Sequence, residues 1–147
     1  MPEIQQMKLN KVLHAITRKL ASRYPTHHIY DEEVPENLNP PAFFVKLLNP
    51  SQEQELGNRY MRYHSFDIHY FDPNYSNISM QNVADELFDI LEWLEVDGHP
   101  IRGTSMNTEI VERVLHFFVA YNFTIKRYEE PRPKMNDLDL KEDIKDG

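Results

Sequence analysis

The chain has 147 residues, 40% hydrophobic and 12% aromatic, with a formal net charge of −8 and a pI near 5.3. That length suits one domain burying about two thirds of its unfolded surface, and the apolar content exceeds what a disordered chain carries. The acidity argues against a general nucleic-acid binder, which needs Lys and Arg to neutralise phosphates; the absence of cysteine excludes disulfides, thiolate metal sites and a Cys nucleophile.

No apolar run approaches the roughly 20 residues that span a bilayer, and no signal-type segment opens the chain. The expectation is a soluble globular protein of a reducing compartment whose partner is another protein.

Met1 to Gln6 carry no cap or period. From about Met7 to Tyr24 the apolar residues Leu9, Leu13, Ile16 and Leu20, flanked by Val12, form one stripe of an amphipathic helix. Lys8, Lys11, Arg18, Lys19 and Arg23 lie across the wheel. They read as a solvated face, with docking to an acidic partner as the sharper alternative. Pro25 ends the helix, because the residue before a proline is pushed out of the α region.

A short strand is predicted over His28 to Asp31, followed by the proline-punctuated acidic loop DEEVPENLNPP. Ala42 to Leu48, apolar on both faces except at Lys46, reads as a buried strand. NPSQEQELGN reads as a long polar loop, a type more often functional than idle. Alternation returns over Arg59 to Phe71, with Tyr60, Phe66, Ile68 and Tyr70 on one face and Met61, Tyr63, Ser65, Asp67 and His69 on the other.

After the turn DPNYSN, Ser79 is a candidate N-cap for a helix to about Leu94, with Val83, Leu87, Ile90, Leu91 and Leu94 as its stripe. Asp97-Gly98 marks a hairpin between Glu95-Val96 and Ile101-Arg102. Met106 to Glu112 then leads through a turn at Glu112-Arg113 into Val114 to Arg127, the longest alternating stretch, whose apolar face is Leu115, Phe117, Val119, Tyr121, Phe123 and Ile125. Burying six such side chains contributes roughly 1.5–3 kcal/mol apiece before entropy is charged. Residues 1–128 therefore form one domain, and the acidic segment 129–147 is expected to be a disordered tail.

The predicted class is α+β: a mixed, mainly antiparallel sheet with two helices packed on one face. Long strands that are apolar on both faces, Phe118 opposite Phe117, exceed what two helices cover, which points to burial between subunits.

Chemistry is thinly signalled. Asp67 and His69 share a face at i, i+2, a spacing that presents two metal ligands, but His64 points the other way and no third ligand is local. Exposed polar sheet residues are the ordinary reading. Ser65, Asp67 and His69 are hydrolase residue types, yet alternate residues of one flat strand cannot form a relay, and no nucleophile elbow surrounds Ser65. His27-His28 beside Asp31, Glu32 and Glu33 reads as a loop before a strand, with loose metal binding as the alternative. With four glycines in all, no phosphate-binding loop is present. Enzyme activity is disfavoured.

The segments FFVKLLNPSQEQELGNRYMRYHSFDIHYF (Phe43 to Phe71) and VADELFDILEWLEVDGHPIRGTSMNTEIVERVLHFFVAYNF (Val83 to Phe123) resemble the tail terminators of tailed phages and defective prophages. With the first helix, the resemblance covers about Met7 to Tyr128. Its strongest parts are Ser51 to Gly57, Ser65 to Phe71 and Ile101-Arg102-Gly103-Thr104. The chain departs from the pattern at Glu112-Arg113, where a glycine is expected, and in its acidic tail.

The resemblance implies a tail-terminator-like α+β fold and a structural protein without catalysis, cofactor or metal. Its subunits form a ring, typically a hexamer, that caps the tail tube, stops its polymerisation and presents the surface to which the head docks. The implied partners are further copies of the chain, the tail tube protein and a head-completion or connector protein, with no nucleic acid or membrane. The implied locations are the bacterial host cytoplasm during assembly and then the virion tail. No short motif defines family contacts. The candidates for tube or subunit contact are Gln52, Glu53, Gln54 and Glu55 in the polar loop, Arg59 and Arg62 beyond it, and Phe118 on the long strand. A small monomeric adaptor and a metal-dependent enzyme are the alternatives.

Overall fold

A computed structural model describes residues 8–127; the predicted acidic tail 129–147 lies outside them. The described residues form helix α1 (Leu9–Arg23), strands β1 (His28–Tyr30), β2 (Ala42–Leu47), β3 (Ser51–Gln54), β4 (Arg59–Tyr63) and β5 (Ser65–Phe71), helix α2 (Asn77–Ile90), and strands β6 (Trp93–Val96), β7 (His99–Val111), β8 (Val114–Tyr121) and β9 (Phe123–Lys126). The class is α+β, as the sequence predicts. Six strands run in the order β1-β2-β5-β8-β7-β6 and a smaller sheet in the order β3-β4-β9. Among the described residues only β1 and β2 pair in parallel; every other ladder is antiparallel.

The period-two apolar residues of β2, β5 and β8 fall on one face of the large sheet. Phe43, Val45, Phe66, Ile68, Tyr70, Leu115, Phe117, Val119 and Tyr121 are buried there against Val12, Ile16 and Leu20 of α1 and Met80, Val83 and Leu87 of α2. Rings of the helices reach into it: Tyr24 lies 5.0 Å from Phe43, and Phe88 meets Phe117 edge-on at 5.1 Å. Tyr24 also donates its hydroxyl to Glu86, tying the end of α1 to α2. Of the basic face of α1, Lys11 pairs with Asp97 at 2.6 Å and Arg23 with Glu86 at 2.8 Å, so part of it serves the fold.

Both long strands that the alternation predicts are broken, and at facing positions. Residues 59–71 divide at His64 and residues 114–127 at Asn122, so that each chain leaves the large sheet and enters the small one. The corner is pinned by polar groups. The His64 amide donates to the Asn122 side chain at 3.2 Å, Tyr121 N donates to the His64 carbonyl at 2.7 Å, and His64 Nδ1 sits 3.1 Å from the Tyr121 carbonyl. Apolar alternation continues through the bend, which hides it from a pattern reading.

Three local boundaries also shift. The cap of α2 is Ser76, whose hydroxyl accepts from Ser79 N at 3.1 Å. Ser79 instead donates its own hydroxyl to Asp72 at 2.6 Å. The helix ends at Ile90, and Leu94 belongs to β6. The strand expected from Met106 begins at His99 and carries a register shift between Thr104 and Asn107.

The two hairpin turns differ in their chemistry. Asp97 and Gly98 have φ of 53° and 79°, as the two-residue turn joining right-twisted strands requires. Glu112 and Arg113 adopt 50° and 67° without a glycine, which is the local cost of the departure noted above.

Candidate functional site

The helices cover one face of the large sheet; among the described residues the other face carries none. Its residues follow from the register. His69 stands opposite Phe44 on one side and His116 on the other, and Asp67 opposite Lys46 and Phe118. Phe44, Phe71 and Phe118 are half-buried, and Asp67 is only 8% exposed. Exposed polar sheet residues, the sequence expectation for Asp67 and His69, are therefore not what is found.

Asp67, His69 and His116 form a cluster. His69 Nε2 lies 3.0 Å from Asp67 Oδ2, and His116 Nδ1 lies 3.0 and 3.1 Å from the two carboxylate oxygens. The two imidazole centroids are 4.2 Å apart. The third ligand-type group that one strand could not supply comes from β8 across the ladder. Burial pushes the Asp67 carboxyl upward, but hydrogen bonds from His69 and His116 outweigh it and hold the group below the usual carboxylate range. Phe44 meets His69 edge-on at 5.3 Å and Phe118 stacks beside His116 at 6.2 Å, so the cluster has an aromatic rim. Phe118 also borders a cleft of about 390 Å³ that reaches Ser65, Ser105 and Asn107.

The polar loop is the second region, and its expected form is corrected. Ser51 to Gln54 is a strand paired with β4, and only residues 55–58 turn. All four side chains of β3 are exposed, so no apolar alternation announces the strand. Gly57 at φ 66° closes the turn, helped by Gln54 Nε2 donating to its carbonyl at 2.8 Å. Gln52 faces Arg62 in the ladder, and Arg62 Nε donates to Gln52 Oε1 at 2.7 Å. Glu53, on the opposite face of β3, accepts from the Tyr63 hydroxyl at 3.3 Å. The candidates Gln52, Glu53, Gln54, Glu55, Arg59 and Arg62 thus share one hairpin but divide between its two faces, and Phe118 lies in the other sheet. His27 and His28 join no carboxylate cluster among the described residues; His27 stacks on Phe43 at 5.7 Å.

The run Ile101-Arg102-Gly103-Thr104 has a packing reason. Gly103 N donates to the Glu92 carbonyl at 2.7 Å, and a Cβ at Gly103 would stand 2.7 Å from the Leu91 carbonyl oxygen. Only glycine lets β7 approach the end of α2 this closely.

A family model described as phage tail terminator protein matches residues 11–133. The fold is thus that of a tail-assembly component, and the chain belongs to the phage tail terminator family, with the structural role in the phage tail that the family defines. No curated protein matches the chain. A solved structure with no functional description matches at 14% identity over 84% of this chain and 99% of that one, with a TM-score of 0.46; a likeness that slight carries no weight for function.

Proposed function

We propose that this chain ends tail-tube growth: copies assemble into a ring, a hexamer, that sits on the last layer of tube protein, blocks further addition and offers its far side to the head-completion protein. Membership of the family over residues 11–133 is the observation that carries this reading. Two features of the molecule support it. One sheet face keeps aromatic side chains half-buried without a covering helix among the described residues, as surfaces awaiting a second subunit do. The β3–β4 hairpin presents an exposed polar edge suited to wet, hydrogen-bonded contact with another protein.

The test is electron microscopy of tail tubes grown with and without the purified protein. Capped tubes of uniform length are expected in its presence and tubes of uncontrolled length, unable to join heads, in its absence. Tails of normal length joined to heads without the gene product overturn the proposal. Within it, charge reversal of Glu53 and Glu55 should weaken capping while moving stability by less than about 0.5 kcal/mol, as exposed substitutions do. Normal capping by that folded variant removes the hairpin from the tube contact.

A further inference from the structure

We infer that Asp67, His69 and His116 bind one divalent transition-metal ion of the zinc type on the sheet face opposite the two helices. The inference rests on the cluster itself and not on the ring. One carboxylate oxygen and two imidazole nitrogens, all within 4.8 Å of one another, make a donor set that borderline-soft first-row ions prefer and that Mg2+ and Ca2+, which seek oxygen, do not.

The geometry needs little adjustment. A tetrahedral ion with bonds of about 2.0–2.1 Å holds its ligand atoms about 3.3 Å apart. The Asp67 oxygen already stands 3.0 Å from each histidine nitrogen, so the remaining change is for the two imidazoles to close on each other by at most roughly 1.5 Å. In the ion-free protein the carboxylate accepts an N–H from each ring. An ion replaces those two protons, and the nitrogens that donated them become ligands once the rings adopt the other neutral tautomer.

Two further observations favour this position over an ordinary hydrogen-bonded trio. The ligands come from two rigid neighbouring strands in fixed register, His69 directly opposite His116. The rim of Phe44, Phe71 and Phe118 surrounds His69 and His116 with ring edges and faces, lowering the local dielectric and strengthening ion–ligand attraction. Lys46 and Glu109 flank the cluster across their ladders, opposite Asp67 and His116 respectively. Three protein ligands leave the fourth position to water or to a group from outside the chain.

The test uses the full chain, stripped with chelator and titrated with zinc chloride by calorimetry, and with cobalt(II) chloride by visible absorption. One equivalent should bind with low-micromolar affinity or better, cobalt should give the intense bands of a tetrahedral site, and Mg2+ should not compete. His116→Ala and Asp67→Asn should each weaken zinc at least about 100-fold, the upper end of what losing an outer partner costs, while His28→Ala changes nothing. Because either variant at the cluster can disturb the fold, NMR of the wild-type protein supplies an independent reading: zinc should shift the imidazole signals of His69 and His116 and leave those of His14, His27, His28 and His99 in place. No zinc uptake, equal uptake of Mg2+, undiminished affinity in a folded His116→Ala protein, or shifts confined to the other histidines overturns the inference.

Discussion

His64 shows how one side chain ties the corner of the fold to pH. It is fully buried at the break between β4 and β5, stacked on Phe123 at 4.8 Å. Burial pushes its pKa below the ordinary value, the hydrogen bond to the Tyr121 carbonyl opposes this, and the charge of Arg62 adds to the lowering. His27 is lowered for the same first reason, against the pull of Glu86. With a lowered native pKa, the unfolded chain takes up a proton near pH 6.5 while the native chain does not. The stabilisation is therefore complete above that pH and is lost as pH falls through 6.5 towards the native value. Denaturant melts should show lower stability at pH 5.5 than at pH 8. His64→Phe should cost about 1–3 kcal/mol at pH 8 by leaving the Tyr121 carbonyl short of a partner and should flatten the fall, His27 supplying what remains. An unchanged pH profile in the folded variant would show that His64 takes up its proton equally in the native and unfolded chains, against the lowered native pKa. At this scale the sequence reveals Asp67 and His69 by their i, i+2 spacing, whereas His116 lies 49 residues beyond Asp67 and becomes legible only once β5 and β8 are paired in register.

Elements were readable wherever apolar side chains alternate and unreadable where they do not. Strands β2, β5 and β8 and the stripe of α1 announce themselves because burial selects period two or 3.6. β3, the exposed edge strand SQEQ, is held by ladder hydrogen bonds that leave no apolar trace, and the kinks at His64 and Asn122 leave the alternation intact while changing sheets. The cap shifts to Ser76 because Asp72 organises the preceding turn, accepting from Asn74 N and Ser76 N at 3.0 Å and from the Ser79 hydroxyl. The join of α2 to β7 is more exacting than its sequence looks. The Leu91 carbonyl, unsatisfied within the helix, accepts from the Tyr121 hydroxyl at 2.6 Å, and it is the atom a Cβ at Gly103 would strike. Gly103→Ala should therefore destabilise the protein by about 1–3 kcal/mol, as overpacking does, with the loss read from denaturant midpoints. A neutral or stabilising outcome would mean that the end of α2 gives way freely.

The molecule as a whole is a one-sided construction: two helices close one face of a six-stranded sheet, and the opposite face keeps Phe44, Phe71 and Phe118 without a helical cover among the described residues. The two sides should answer differently to substitution. Phe117 is fully buried beneath α2, so Phe117→Ala should cost about 3–5 kcal/mol in the isolated subunit. Phe118, one residue on and half-exposed, should matter little to the subunit and much to assembly. Phe118→Arg places a long cation beside the Asp67 carboxylate, which stands directly opposite in the ladder; a lone subunit accommodates that at the surface, whereas a partner packed on the face must bury the charge at a cost of several kcal/mol. The expected outcome is a folded subunit with nearly unchanged melting that no longer forms rings or caps tubes, checked by light scattering and by microscopy with tubes. Rings of normal size from the Phe118→Arg protein would move the subunit contact off this face and onto the hairpin or the helices.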